Sequence, residues 1–201
     1  MTRVLIIGAG GIGSQLIDML VPALTAGDLT RNSGGVIISV MDDDRVEISN
    51  ISHQRHEPRM VGQLKVESIF QRQSPFLSPS LRLIPISERL ETSSQLVGYD
   101  LVVVAVDNSH TRLLVHEYAD EWLDLRCGSD GYVSLDNTLD HELVKRLTPH
   151  QSKPASCQLP GALENSNVEV GYALAAAHGV QWVVQNIRRN VGVNTNSPPP
   201  R

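Results

Sequence analysis

Three short stretches carry residues suited to holding a phosphorylated ligand. The first is Gly8-Ala9-Gly10-Gly11-Ile12-Gly13, with glycines at 8, 10 and 13. That spacing belongs to a turn from a strand into a helix, where missing side chains leave backbone N–H groups and the helix N-terminus open to phosphate. The second opens with Asp42, Asp43 and Asp44 behind an apolar run and continues through Ser49, Asn50, His53, Gln54, Arg55, Arg59 and, after Gly62, Lys65. A carboxylate closing a second strand, as Asp42 would, accepts from ribose hydroxyls in a nicotinamide dinucleotide or an adenine mononucleotide alike. The residues behind it discriminate better. Hydride transfer has no use for a further carboxylate at Asp44, an amide and several cations in one loop, whereas cations facing a phosphate-binding turn suit a triphosphate. The third stretch is Asp107-Asn108-Ser109-His110-Thr111-Arg112. Asp107 falls where a central strand ends, and a carboxylate there can hold Mg²⁺ against phosphate oxygens. Helix capping is the competing role, and Asn108 or Ser109 can cap while Asp107 faces a nucleotide.

The elements that must position these groups follow from apolar periodicity. Residues 3–8, 36–42 and 100–107 are continuous Val/Leu/Ile runs of the kind found in buried parallel strands, and 81–87 is a fourth whose Pro85 points to a sheet edge or a strand end. Between them Ile12, Leu16, Met19 or Leu20 and Leu24 recur at helical spacing, and 62–73 and 109–122 each suit an amphipathic helix. Strand and helix in alternation mean an α/β fold: a Rossmann-like, doubly wound, mostly parallel sheet with helices on both faces. Past residue 123 the pattern changes to two short strands around Gly128-Ser129-Asp130-Gly131, a C-terminal antiparallel portion, and 137–165 reads as a long crossover loop. A last helix places Val170, Ala173, Leu174, Ala177, Val180, Val184 and Ile187 on one stripe, with Ser166 and Glu169 spaced as a capping box. Its small residues Gly171, Ala175, Ala176 and Gly179 invite close approach by the sheet or by a second subunit. Residues 1–190 form a single domain in this reading, and 191–201 a disordered tail.

Composition narrows the classes. The 201-residue chain has a formal net charge of −5, which offers no broad attraction to nucleic acid or to an anionic membrane. Its two cysteines, Cys127 and Cys157, can build neither a disulfide framework nor a four-thiolate zinc site, so no zinc is expected. The first apolar run is too short to span a bilayer and leads into glycines instead of a cleavage site, which fits a cytoplasmic protein.

In their order and intervals, VLIIGAGGIGSQ, MDDDRVEISN, GQLKVESI and DLVVVAVDNSHTR resemble the ThiF and MoeB branch of the ubiquitin-activating superfamily, over roughly residues 3 to 130. The resemblance implies an adenylyltransferase that uses ATP and Mg²⁺ to adenylate a carboxylate and releases pyrophosphate. The acceptor it implies is the C-terminus of a ubiquitin-like or sulfur-carrier protein, or a peptide, and the assembly a homodimer. Carried over by residue, Gly8, Gly10, Gly11 and Gly13 cradle phosphate, Asp42 takes the ribose, and Asp44 keeps a second acidic position. Asn50 and Lys65 lie beside the phosphates, and Asp107 binds the metal. The chain also departs from the family. His53 stands where an arginine is usual, so the clamping arginine is assigned to Arg55 with Arg59 behind it. The arginine-bearing helix that precedes the family's first strand has no match in this sequence, and the paired zinc-binding CxxC motifs are missing. Cys157 lies within the loop where thioester-forming members hold their nucleophile, but the branch also contains members that stop at the adenylate, so a structural or incidental role stays open for it, while Cys127 reads as a small buried hydrophobe. Two other classes stay open at this point: a nucleotide-binding or regulatory module without catalysis, and an NAD-dependent oxidoreductase.

Overall fold

The computed structural model describes residues 1–149, 158, 161, 165 and 167–192. In chain order the elements are β1 (Thr2–Ile7), α1 (Gly11–Thr25), α2 (Leu29–Asn32), β2 (Val36–Met41), α3 (Lys65–Gln73), β3 (Leu81–Ile86), β4 (Leu101–Val104), α4 (Ser109–Tyr118), β5 (Trp122–Gly128), β6 (Gly131–Asp136), α5 (His141–Leu147) and α6 (Gly171–Asn190). One six-stranded sheet has the order β3-β2-β1-β4-β5-β6. Its first five strands run parallel, and β6 returns antiparallel to β5. The α/β, Rossmann-like, doubly wound architecture expected from the sequence is therefore present, with its antiparallel C-terminal portion.

Strand composition follows from burial on both faces. In β1, Val4 and Ile6 enter a core shared with α1, α3 and α6, while Leu5 and Ile7 enter a second core with Leu90, Val115, Trp122 and Val144. Alternate residues of a pleated strand point to opposite faces, so a strand covered twice must be apolar throughout. β3 lies at the sheet edge, where Pro85 costs the least. β1 pairs with β2 on one side and β4 on the other, and the strand order reverses between β1 and β4. A crevice opens at the carboxyl ends of strands at such a reversal.

Several local features differ from the sequence reading. α4 stops at Tyr118 and Trp122 already opens β5, because Trp122 is buried in the second core and serves better as strand than as the end of a helix. Within 137–165, residues 141–147 form α5, capped by the Asp140 side chain, which accepts from the Leu143 N–H at 2.9 Å. Only Val144 of α5 is buried, too little apolar pattern to mark a helix in a polar stretch. The buried face of α6 is Tyr172, Ala175, Ala176, Gly179, Val183, Asn186 and Ile187, whereas Val170 and Leu174 are half exposed. Close packing explains the change: a Cβ at Gly179 would come within 2.6 Å of Leu16 Cδ1 and 2.7 Å of Leu125 Cδ1. The small residues Ala175, Ala176 and Gly179 take the seam, Leu174 is turned outward, and of the expected stripe Ile187 is buried while Ala173, Val180 and Val184 pack partly buried against the core. α6 opens at Gly171 with no side-chain cap at Val170. Ser166 lies outside the described residues, and the Glu169 carboxylate accepts from Ser129 Oγ at 2.8 Å. The tail assigned to 191–201 lies outside them beyond residue 192. Among the described residues no helix is long and apolar enough to cross a membrane.

Candidate active site

The turn after β1 is held from three sides. Gly8 has φ +102°, and a Cβ there would lie 2.6 Å from the Ala105 carbonyl oxygen, so both conformation and the approach of the chain after β4 require glycine. A Cβ on Gly13 would lie 1.9 Å from the Gly8 carbonyl oxygen, which lets α1 start tight against the turn. Asp42 closes the arrangement: one carboxylate oxygen accepts from the Ala9 N–H at 2.7 Å and the other from the Asp44 N–H at 2.9 Å. Burial raises the Asp42 pKa, opposed by the Ala9 N–H bond, by Lys65 and by the Asp44 N–H bond, with Asp44's charge adding to the rise. Underneath, buried His56 lies 3.1 Å from the Ala9 carbonyl oxygen through Nε2 and 3.1 Å from Ser68 Oγ through Nδ1. A carbonyl only accepts, so Nε2 carries the proton and Nδ1 accepts from the Ser68 hydroxyl. Burial drives the His56 pKa down to about 4, keeping the ring neutral.

The loop after β2 folds back on the start of α3. Val46 N–H donates to Gln63 O at 2.8 Å, Gly62 N–H to Val46 O at 2.8 Å and Lys65 N–H to Asp44 O at 2.9 Å. This short ladder puts the Lys65 ammonium 2.9 Å from an Asp44 carboxylate oxygen, with only 9% of the lysine side chain exposed. His53 stands nearby, its pKa lowered by burial and then by the Lys65 charge. On the far side, α4 is capped by Asn108, whose side chain accepts from the His110 and Thr111 N–H groups. Asp107 is thereby released from capping. It is exposed and lies on the rim of the same crevice.

These groups surround one cavity of about 710 Å³, a size typical of ligand sites. Of the residues singled out in the sequence, Gly8, Gly10, Gly11, Asp42, Asp44, Lys65 and Asp107 line it. Gly13 supports the turn from behind. Asn50 sits outside the lining, its side-chain oxygen accepting from the Glu47 N–H at 3.0 Å. Arg55 turns toward α1: its Nε donates to Gln15 at 3.1 Å and lies 3.7 Å from an Asp18 oxygen. Arg59 pairs with Glu57 at 2.6 Å. Cys157 lies outside the described residues. Cys127, read as a buried hydrophobe, is half-buried and faces the cavity.

The cations that do face the cavity beside Lys65 are Arg89, Arg112 and Arg126, none of which the sequence reading used. Arg89 Nε reaches both oxygens of the exposed Asp43 at 2.8 Å. Asp124 and Arg126 are two apart on β5 and hence on one face of the strand, an acid and a base together, which is the available sequence signal.

The donor set fits a magnesium nucleotide. A Cβ added at Gly10 would meet nothing nearer than Gln54 Nε2 at 3.9 Å, so packing within the chain does not demand glycine there. The backbone at Gly10 is bare toward open space, as close approach of a phosphate requires. Asp107 offers the hard carboxylate oxygen that Mg²⁺ prefers.

The chain is 34% identical over 122 residues to the adenylyltransferase and sulfurtransferase UBA4 of Saccharomyces cerevisiae (strain YJM789), a match covering 59% of this chain and 25% of that protein. It is 36% identical over 122 residues to the SAMP-activating enzyme E1 of Haloferax volcanii, covering 58% of this chain and 40% of that one. The chain thus spans well under half the length of these relatives. Among solved structures, E. coli MccB with ATP superposes with a TM-score of 0.62 at 18% identity, over 94% of this chain and 56% of that chain, a likeness of fold. Because the ThiF family model matches residues 1–195, over a sheet and glycine turn of the kind just described, the chain belongs to the ThiF family.

Proposed function

We propose that this chain adenylates a carboxylate with ATP and Mg²⁺ and releases pyrophosphate. The observation that carries the proposal is the Lys65 ammonium, desolvated and anchored by Asp44 in the cavity that the glycine turn opens into. A buried ammonium opposite backbone N–H groups is preorganised for the polyphosphate of a nucleotide and contributes little to a nicotinamide site. The names of the relatives, an adenylyltransferase and sulfurtransferase in yeast and a SAMP-activating enzyme E1 in Haloferax volcanii, support adenylyl transfer. The acceptor class is the C-terminus of a ubiquitin-like or sulfur-carrier protein, or a peptide.

In this reading Asp42 accepts from the ribose, the turn at Gly8–Gly11 receives phosphate, and Lys65 neutralises charge that moves toward the departing pyrophosphate. Mg²⁺, held by Asp107, supplies further neutralisation of phosphate charge when bound. A carboxylate oxygen forms the new bond to the α-phosphorus as the bond to the bridging oxygen breaks, so the protein need move no proton. Arg55 takes part as a clamp by leaving Gln15 and Asp18. We further read the chain as a cytoplasmic homodimer whose reaction either stops at the adenylate or continues to a thioester at Cys157.

The test is carboxylate-dependent exchange of pyrophosphate into ATP. Wild-type protein is expected to exchange, and Asp107→Ala and Lys65→Ala to abolish it; exchange surviving both changes overturns the mechanism. The outward turn of Arg55 favours one alternative, a nucleotide-binding module without catalysis. Binding of ATP with no exchange across several carboxylate donors selects that alternative, and a thermal shift with NAD but not ATP selects an oxidoreductase.

A further inference from the structure

The cavity wall holds a charged cluster that the proposed chemistry leaves unused. Asp124 on β5 is fully buried. Its carboxylate accepts from Arg112 Nη1, from His116 Nε2 at 3.0 Å, and from Arg126 through Nε at 3.1 Å and Nη2 at 2.6 Å. The His116 ring stacks on Trp122 with centroids 4.3 Å apart, which fixes its plane. These partners hold the Asp124 pKa below the usual carboxylate range against the effect of burial, the largest single influence, with the His116 bond and the Arg112 charge leading the lowering.

Each guanidinium also reaches outward. Arg112 Nη2 donates to the carbonyl of Val106, the residue before Asp107. Arg126 donates to the Leu147 carbonyl and to Thr148 Oγ1, at the end of α5 where the chain borders the cavity. A planar fork of five donors can bridge a buried carboxylate and a backbone carbonyl at once, which a lysine ammonium on its flexible stem cannot do with the same rigidity. One buried charge therefore ties down two walls of the cavity.

We propose that Asp124 is a positioning residue for metal binding: through Arg112 it fixes the loop that carries Asp107, while its link through Arg126 holds the α5 wall. The inference rests on the adenylation reading, because it takes Asp107 as the ligand of Mg²⁺. The two arginines serve different walls, so their variants are expected to differ, which a merely stabilising ion network would not produce.

The experiment measures ATP affinity of the full chain by calorimetry in excess Mg²⁺ and in EDTA, the ratio being the gain due to metal, with melting temperatures alongside. Arg112→Lys is expected to cut the Mg²⁺ gain about tenfold while affinity in EDTA stays within about threefold. Asp124→Asn is expected to do the same with a lower melting temperature, and Arg126→Lys to keep the gain. Asp107→Ala is the reference and should lose the gain altogether. Equal losses in the two arginine variants, or an unchanged gain in Arg112→Lys and Asp124→Asn, overturn the inference and leave the adenylation reading standing. A wild-type protein that binds no ATP, or an Asp107→Ala protein that keeps the gain, refutes the site assignment and this inference with it. Should Asp124→Asn fail to fold, the contrast between the two arginine variants decides.

Discussion

His56 makes the glycine turn after β1 sensitive to pH, and the size of the effect follows from the structure. The neutral ring joins the Ala9 carbonyl to the Ser68 hydroxyl, each at 3.1 Å, and its pKa falls to about 4 from an ordinary 6.5. Because the folded value is depressed, the unfolded chain takes up the proton first. The stabilisation is therefore complete above the unfolded pKa and is lost as pH falls from about 6.5 toward 4. Proton linkage with those two values gives a loss of about 2 kcal/mol between pH 7 and pH 5. At roughly 2–4 °C per kcal/mol for a chain of this size, that is a fall in melting temperature of about 4–8 °C. His53 is shifted in the same direction, whereas Asp18 and Asp42, both raised by burial, oppose it. Comparing wild type with His56→Gln isolates the one residue. The variant should be about 1–2 kcal/mol less stable at pH 7, since the Ala9 carbonyl and Ser68 lose their partner, and its melting temperature should change less between pH 7 and 5. An equal pH slope in both proteins, or a His56 ring that titrates near 6.5 in the folded protein by NMR, would refute the reasoning.

Further outcomes follow from the same geometry. Gly13→Ala drives a Cβ to 1.9 Å from the Gly8 carbonyl oxygen, so it should cost about 3 kcal/mol or more in urea denaturation. Gly10→Ala meets nothing within 3.9 Å and should cost less than about 1 kcal/mol, yet weaken ATP binding at least tenfold by filling the space a phosphate needs. Lys65→Met, which keeps the volume and removes the charge, is expected to lower the pyrophosphate exchange rate by about 100-fold or more. Arg55→Ala is expected to weaken ATP binding about tenfold, because it removes the proposed clamp; a change within about twofold would show that the side chain stays on Gln15 and Asp18.

The strands and the doubly wound class could be read before any coordinates because the relevant signals are short-range, whereas the order of the strands in the sheet came from the structure. Continuous apolar runs at 3–8, 36–42 and 100–107 mark strands buried on both faces, and the glycine spacing marks the turn between the first strand and its helix. α5 escaped notice because one buried residue, Val144, leaves no periodic trace. The α6 stripe was half right: Ile187 is buried and Ala173, Val180 and Val184 pack at the edge of the core, but the space between α1 and β5 is filled by the small residues Ala175, Ala176 and Gly179 that the sequence marked for close approach.

The amino-acid sequence by itself determined the doubly wound sheet, the glycine turn, and the positions of Asp42, Lys65 and Asp107 at the ends of their strands and helix. Those positions depend on backbone geometry and local periodicity, which a few neighbouring residues set. Only the tertiary structure decided which cations face the crevice. A long side chain reaches several ångströms and goes to whichever carboxylate or carbonyl the rest of the fold brings near: Arg55 to Gln15 and Asp18 of α1, Arg89 to Asp43, and Arg112 and Arg126 to a buried Asp124. The partners of Arg55 and Arg89 lie up to 40 and 46 residues away in the chain, beyond the range of any local pattern, whereas Arg126 and Asp124 are neighbours on one face of β5.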